Sequence, residues 1–208
     1  MAAHPLLYLG SQSPRRLQLL GQLDIQPALL LPDASEDAES LEAPLPSEAP
    51  SRYVRRVTAA KGAAAWTRLV KRGLPFAPIL VADTTVALNG EIFGKPGHAD
   101  TAARMLQQLS GQWHQVYTSI RLQTGPGRKG LQTTVRSDVL FAELDARRIQ
   151  AYVASGEPLD KAGAYGIQGL AGIFIKRIEG SYSGVMGLPV FETAQLLRSA
   201  GIELLKNG

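Results

Sequence analysis

The short apolar run Leu6-Leu7-Tyr8-Leu9 is stopped by Gly10, and a run of that length closed by a turn residue predicts a buried strand. The period then changes. Leu17, Leu19, Leu20 and Leu23 form a helical stripe, Ser13 suits the N-cap and Pro14 the first helical position. The chain therefore opens strand, tight turn, helix. Residues 28–31 predict a second strand, and residues 32–50, rich in Pro, Ser and acids without an apolar period, predict a long loop. Ser51 is suited to cap a helix running to about residue 70, with Tyr53, Val54, Val57 and Ala60 on one face and Arg52, Arg55, Arg56 and Lys61 around it.

Past Gly73-Leu74-Pro75, the β-branched stretch 79–88 predicts a strand, and Asn89-Gly90 predicts a hairpin returning through Glu91-Ile92-Phe93. Asp83 thus falls in mid-strand. Asp100 is suited to cap a helix carrying Ala103, Leu106 and Leu109, which Ser110-Gly111 ends. Residues 113–122 and 131–144 read as two long strands joined at Thr124-Gly125-Pro126-Gly127. Asp145 begins another helix through Tyr152 and Val153, a glycine-rich loop precedes a strand at 173–176, and the last helix starts near Pro189. Alternating helices and strands with antiparallel hairpins predict an α/β fold: a mixed sheet with flanking helices and no fixed-period repeat.

Composition narrows the chemistry. The 208 residues contain no Cys, which excludes disulfides, thiolate metal sites and cysteine nucleophiles and leaves oxygen and nitrogen groups to act. Lys plus Arg is 22 and Asp plus Glu 18, a formal +4, a mild basic excess that suits an anionic partner. No apolar run reaches the roughly 18 residues of a membrane span. The start Met1-Ala2-Ala3-His4-Pro5 lacks the basic and apolar regions of an export signal. The expectation is a soluble cytoplasmic protein with no membrane partner.

Four constellations carry candidate chemistry. Ser11-Gln12-Ser13-Pro14-Arg15-Arg16 lies where a strand gives way to a helix N-terminus, so free backbone N–H groups, hydroxyls and guanidiniums converge as an oligophosphate requires. The same residues also fit a capped surface helix, and the Walker spacing is absent. In Val81-Ala82-Asp83-Thr84-Thr85 an acid interrupts an apolar strand, which asks for a cation, a metal or a reacting water unless turn amides satisfy it. Lys61 and Lys95 suit phosphate oxygens, although single lysines are ordinarily solvated. In the segment from Asp160 to Gly169, glycines allow close approach of a ligand, Tyr165 offers a ring, and the Gln168 amide both donates and accepts as a pyrimidine edge demands; a glycine-rich connection with a core Tyr is the alternative. Asp33, Glu36, Asp37, Glu39 and Glu42 read as a solvated acidic run from which one metal ligand could come. His114, between Trp113 and Val116, is read as structural.

These pieces, in this order, resemble the Maf family of nucleoside triphosphate pyrophosphatases over nearly the whole chain. The matching stretches are Ser11 through Arg16, Lys61, Ala82-Asp83-Thr84, Gly94-Lys95-Pro96, Ser110-Gly111-Gln112-Trp113-His114-Gln115-Val116, and Asp160 through Gly169. The resemblance implies an elongated α/β sheet with a central cleft, similar to the inosine triphosphate pyrophosphatases. It also implies a single domain over residues 1–208, with two lobes about the cleft as one arrangement, and a cytoplasmic homodimer. Asp83 matches the family's proton acceptor, and Arg15, Thr84 and Gln168 its specificity positions. Ser11, Ser13, Arg16, Lys61 and Lys95 match phosphate-binding positions, and Glu36 with Asp83 the metal-holding ones. The chain departs at Ser35, Gly10 and Thr85, where an aliphatic residue, Ala and an aliphatic residue are usual.

The implied reaction is hydrolysis of dTTP and UTP, or base-modified pyrimidine triphosphates, to the monophosphate and pyrophosphate with Mg²⁺ or Mn²⁺. Members acting on 7-methylguanosine triphosphate carry an acid at the position of Gln168, and the neutral amide favours uracil or thymine. The alternatives are that methylguanosine activity and a nucleotide- or nucleic-acid-binding regulator of cell division.

Overall fold

A computed structural model describes residues 7–34, 36–37, 40–127 and 129–204. The start at residues 1–5, Leu6 of the first strand, and Ser35 and Glu39 of the acidic loop lie outside the described residues.

One mixed sheet organises the fold, as the alternation of elements predicts. Its strands are β1 (Tyr8–Leu9), β2 (Ala28–Leu29), β3 (Ile79–Leu88), β4 (Glu91–Phe93), β5 (Trp113–Gln123), β6 (Gly130–Phe141) and β7 (Ile175–Glu179). The order is β2-β1-β3-β5-β6-β7, with β4 off β3. β1 runs parallel to β2 and β3, and the remaining pairs are antiparallel. The helices are α1 (Pro14–Gly21), α2 (Pro50–Lys71), α3 (Ala99–Leu109), α4 (Ala146–Ala154), α5 (Tyr182–Met186) and α6 (Val190–Ser199). None is long and apolar enough to cross a membrane among the described residues.

The central strand β3 is buried along both faces because successive side chains meet different helices. Val81 packs with Ala65 and Leu69 of α2, whereas Leu80 and Ala82 pack with Leu19 and Leu20 of α1 and Leu197 of α6. Further along, Val86 joins Leu106 and Leu109 of α3. Helix α2 thus covers one face of β3 and the other helices cover the opposite one. At the exit of β1, a Cβ on Gly10 would sit 2.8 Å from Val81 Cγ1, so the bulk of Val81 dictates glycine there.

Several boundaries differ from the sequence pattern. Helix α2 begins at Pro50 with Ala49 at the N-cap and no side-chain cap, so Ser51 lies inside the first turn; Pro pre-sets the entry dihedral and makes the hydroxyl dispensable. Likewise His98 precedes α3 and Asp100 is in its first turn, where its charge meets the helix dipole. β6 stops at Phe141, because the Ala142 N–H turns to the Phe174 carbonyl at 2.7 Å and the Leu144 N–H to Ser110 Oγ at 2.7 Å. Ile173 and Phe174 belong to a 3-10 helix, Leu170–Phe174, and β7 starts only at Ile175. Helix α5 was hidden by its brevity: five residues show no period, yet Ser181 Oγ caps it by accepting from Gly184 N at 2.9 Å. The two strongest local signals hold. Asn89 and Gly90 take φ of 51° and 84° in the expected hairpin, and Asp145 caps α4 by accepting from Arg148 N at 2.8 Å.

Candidate active site

A cavity of about 950 Å³ opens over the middle of β3. Its walls come from the β1–α1 turn, the acidic loop, α2, the segment after β4, residues 160–167 and the end of α5. Because side chains alternate along β3, Asp83 faces α2 while Thr84 faces α1 and α5. One strand therefore supplies the cavity floor with two different chemistries.

On the α2 side Asp83 is 7% exposed, and its Oδ1 accepts from Lys61 Nζ at 2.6 Å. The same ammonium donates to Glu42 Oε1 at 2.7 Å, and Lys95 Nζ lies 3.6 Å from Glu42 Oε2. Two carboxylates and two ammoniums thus alternate in a chain. Burial pushes the Asp83 carboxyl above the usual carboxylate range, against the opposing charges of Lys61 and Arg16. For Glu42 burial also acts upward, but Lys61 and Lys95 outweigh it and hold the group below its ordinary value. The Tyr53 hydroxyl donates to the Glu42 carbonyl at 2.8 Å and fixes the turn that presents this acid.

On the other side Arg16 is braced at three points. Its Nε donates to the Gly187 carbonyl at 2.9 Å, Nη1 to Ser11 Oγ at 2.9 Å, and Nη2 reaches Thr84 Oγ1 at 3.5 Å. Thr84 shares a 2.9 Å hydrogen bond with Thr118, whose hydroxyl donates to the Gly184 carbonyl at 2.7 Å. This network ties α1 to β3, β5 and α5 and fixes a guanidinium beside the cavity before any ligand arrives. Ser13 occupies the N-cap of α1 without a side-chain cap bond; Pro14 has no N–H and Arg16 N donates to the Ser13 carbonyl at 3.2 Å, so the Ser13 hydroxyl and the Arg15 N–H are the groups this helix start could offer an anion. Arg15 and Lys161 complete the basic lining.

The family model for Maf-like protein matches residues 6–200. The chain belongs to the Maf family. It is 58% identical to the dTTP/UTP pyrophosphatase of Albidiferax ferrireducens over 95% of this chain and 98% of that one. It is 56% identical to the dTTP/UTP pyrophosphatase of Cupriavidus metallidurans, again over 95% and 98%. The solved structure of the Staphylococcus aureus Ham1 protein aligns at a TM-score of 0.39 with 14% identity, over 66% of this chain and 72% of that one.

In this Maf chain the fold brings together Ser11, Ser13, Arg15, Arg16, Lys61, Asp83, Thr84 and Lys95, all of which border the cavity. Glu36 also borders it, but its carboxylate is gripped by the Arg68 guanidinium, with Nε 2.8 Å from Oε1 and Nη2 2.7 Å from Oε2. Arg68 in turn donates to the Leu30 carbonyl. Glu42 is the acid that shares Lys61 with Asp83, and nothing in an aperiodic acidic run could single it out. Gln168 is placed differently again: it is exposed, its Nε2 donates to Gln18 Oε1 at 3.3 Å, and the cavity lining reaches only to Ile167. Tyr165 borders the cavity, but its hydroxyl pairs with His114 Nε2 at 2.9 Å and its ring packs against Phe141, so most of it is core. His114 is fully buried, and burial drives its pKa down to about 4.

Among the described residues no group of three or more acids or histidines could hold a metal ion. Asp83 and Glu42, bridged by one ammonium, offer two carboxylates to a cation. That donor set fits a hard divalent ion that takes its other ligands from phosphate and water, the usual habit of Mg²⁺.

Proposed function

We propose that the protein hydrolyses dTTP and UTP between the α and β phosphates, releasing the nucleoside monophosphate and pyrophosphate. The observation that carries this reading is buried Asp83, aimed by Lys61 into a cavity bordered by Arg15, Arg16, Lys95 and the N-terminus of α1. The names of relatives more than half identical over nearly the whole chain support it.

In this reading Arg15, Arg16, Lys61, Lys95 and Lys161 receive the triphosphate oxygens, and preorganised cations of that kind favour the charge that develops on a leaving pyrophosphate. Of the acids in the lining, Asp33 and Glu36 are paired with Arg72 and Arg68 outside the cavity, whereas Asp160 pairs with Lys161 at 2.7 Å and Glu42 with Lys61 and Lys95, so those three lysines each meet an acid as well. Asp83 accepts the proton of the attacking water. Its burial raises its basicity, while the Lys61 contact fixes which oxygen remains free to act. Asp83 and Glu42 would hold Mg²⁺ or Mn²⁺, whose charge would neutralise the phosphates.

Base preference is not explained by Gln168, which faces Gln18; the pyrimidine assignment is supported by the relatives. Side-by-side pyrophosphate release from UTP, dTTP and 7-methyl-GTP with Mg²⁺ tests it, and preference for the methylated purine would overturn it. Asp83→Asn should abolish turnover and retain nucleotide binding, whereas near-normal release by that variant would remove Asp83 from the chemistry. The family resemblance further supports a cytoplasmic homodimer, which sedimentation at micromolar concentration tests.

A further inference from the structure

Glu157 stands outside the cavity lining, in a 3-10 helix of residues Glu157–Asp160, yet both of its carboxylate oxygens engage the segment that closes one side of the cavity. Oε2 accepts from Leu170 N at 3.0 Å, the first N–H of the 3-10 helix Leu170–Phe174. Oε1 accepts from the Tyr152 hydroxyl at 2.8 Å, and that hydroxyl oxygen accepts from Gly166 N at 3.3 Å. One carboxylate therefore holds residues 166–170 at both ends. The Glu157 carbonyl also accepts from Lys161 Nζ at 2.6 Å, and the Lys161 stem crosses Gly166, where a Cβ would come within 3.0 Å of its Cδ and Cε.

Gly169 bears the mark of the same contact. Its φ is −98°, which any residue can adopt, so no backbone demand explains glycine there. A Cβ at that position would overlap the Glu157 carboxylate. Close approach of this side chain, and not of a ligand, dictates the glycine. What the carboxylate holds is part of the cavity wall, because Lys161, Gly166 and Ile167 all border the cavity. Ile167 packs against the apolar cluster that contains Met186, another lining residue, so this side of the cavity joins an uncharged surface to one ammonium.

We propose that Glu157 is a positioning residue for nucleotide binding, its carboxylate clamping residues 166–170 so that Lys161, Gly166 and Ile167 meet the nucleotide as a preformed wall. The inference rests on the pyrophosphatase reading above. A wall held in place before binding spares the nucleotide the cost of ordering it. Loss of the clamp therefore weakens binding and leaves the step at phosphorus, over Asp83, unchanged.

The test compares steady-state pyrophosphate release from UTP with Mg²⁺ by the wild type, Glu157→Ala, Glu157→Gln, Gly169→Ala and the double variant Glu157→Ala/Gly169→Ala, at a temperature where thermal melting shows each to be folded. Glu157→Ala should raise KM about tenfold, the worth of the lost clamp, with kcat within about twofold. Glutamine keeps an oxygen for Leu170 N and an amide that can donate to the Tyr152 hydroxyl oxygen, so its KM should stay within about threefold of the wild type. Gly169→Ala should raise KM about tenfold alone but less than about twofold further in the Glu157→Ala background, where its methyl group meets no carboxylate. An unchanged KM in Glu157→Ala, a loss confined to kcat, or additive effects in the double variant would each overturn the clamp. Glutamine as impaired as alanine would overturn it too, by making the charge of Glu157 and not its hydrogen bonds the cause. A wild type that releases no pyrophosphate would instead overturn the reading beneath it, a result distinguishable from any pattern among the variants.

Discussion

Glu36 and Glu42 have the same side chain and border the same cavity, yet their partners assign them different work. Glu42 bridges Lys61 and Lys95 beside Asp83, so Glu42→Gln removes charge from the reacting region and should lower kcat at least about a hundredfold. Glu36 neutralises Arg68, whose side chain is only 6% exposed. Glu36→Gln should leave kcat near the wild-type value and cost about 2 kcal/mol of stability, by stranding a largely buried cation whose partner is itself partly solvated. Kinetics and urea unfolding of the pair separate the two roles, and an inactive, fully stable Glu36→Gln would reverse them. His114 gives a second residue-scale expectation. Its folded pKa of about 4 lies below the roughly 6.5 of an unfolded chain, so between those values the unfolded state binds the extra proton. Stability should therefore fall as pH drops through that window, by about 3 kcal/mol in all. In His114→Gln that component of the pH dependence should vanish from denaturation curves.

At the scale of elements, the cavity depends on irregular backbone held against regular strands. Gly163 joins residues 160–167 to the segment after β4, its N–H donating to the Gly94 carbonyl at 3.1 Å. Its φ is +69°, and a Cβ there would lie 2.7 Å from Val86 Cγ2. Gly163→Ala combines left-handed strain with overpacking and should cost about 3 kcal/mol, and displacing Lys95 and Lys161 should raise KM for the triphosphate. Gly73 has φ +59° but no atom near the position of a Cβ, so Gly73→Ala should cost only about 1 kcal/mol and leave KM unchanged. Equal effects in the two variants would show that contact with Val86 is unimportant. Elements with strong local periods, such as β3 and α3, were legible in the sequence to within a residue or two. The 3-10 helices and α5 were not, because three to five residues cannot display a period.

For the whole molecule, the +4 charge says less than where the charges stand. Asp33 faces Arg72, just past the end of α2, and Glu36 faces Arg68 within it, so the basic groups over β3 are not answered by every acid near them. Should Asp83 and Glu42 hold a divalent ion, chelation with EDTA should abolish pyrophosphate release, and added Mg²⁺ should restore it; full activity in chelator would show that the ammonium and guanidinium groups suffice. The sequence by itself determined the class of fold, the strand carrying Asp83, the helix N-terminus carrying Arg15 and Arg16, and the exclusion of thiol chemistry, since these follow from local period, turn residues and composition. Only the tertiary structure decided that Glu42 joins Asp83 while Glu36 serves Arg68, that Gln168 turns toward Gln18, and that the Thr85 hydroxyl is left without a partner. Those outcomes depend on which side chains meet across elements distant in sequence, and a pattern along the chain carries no information about such distances.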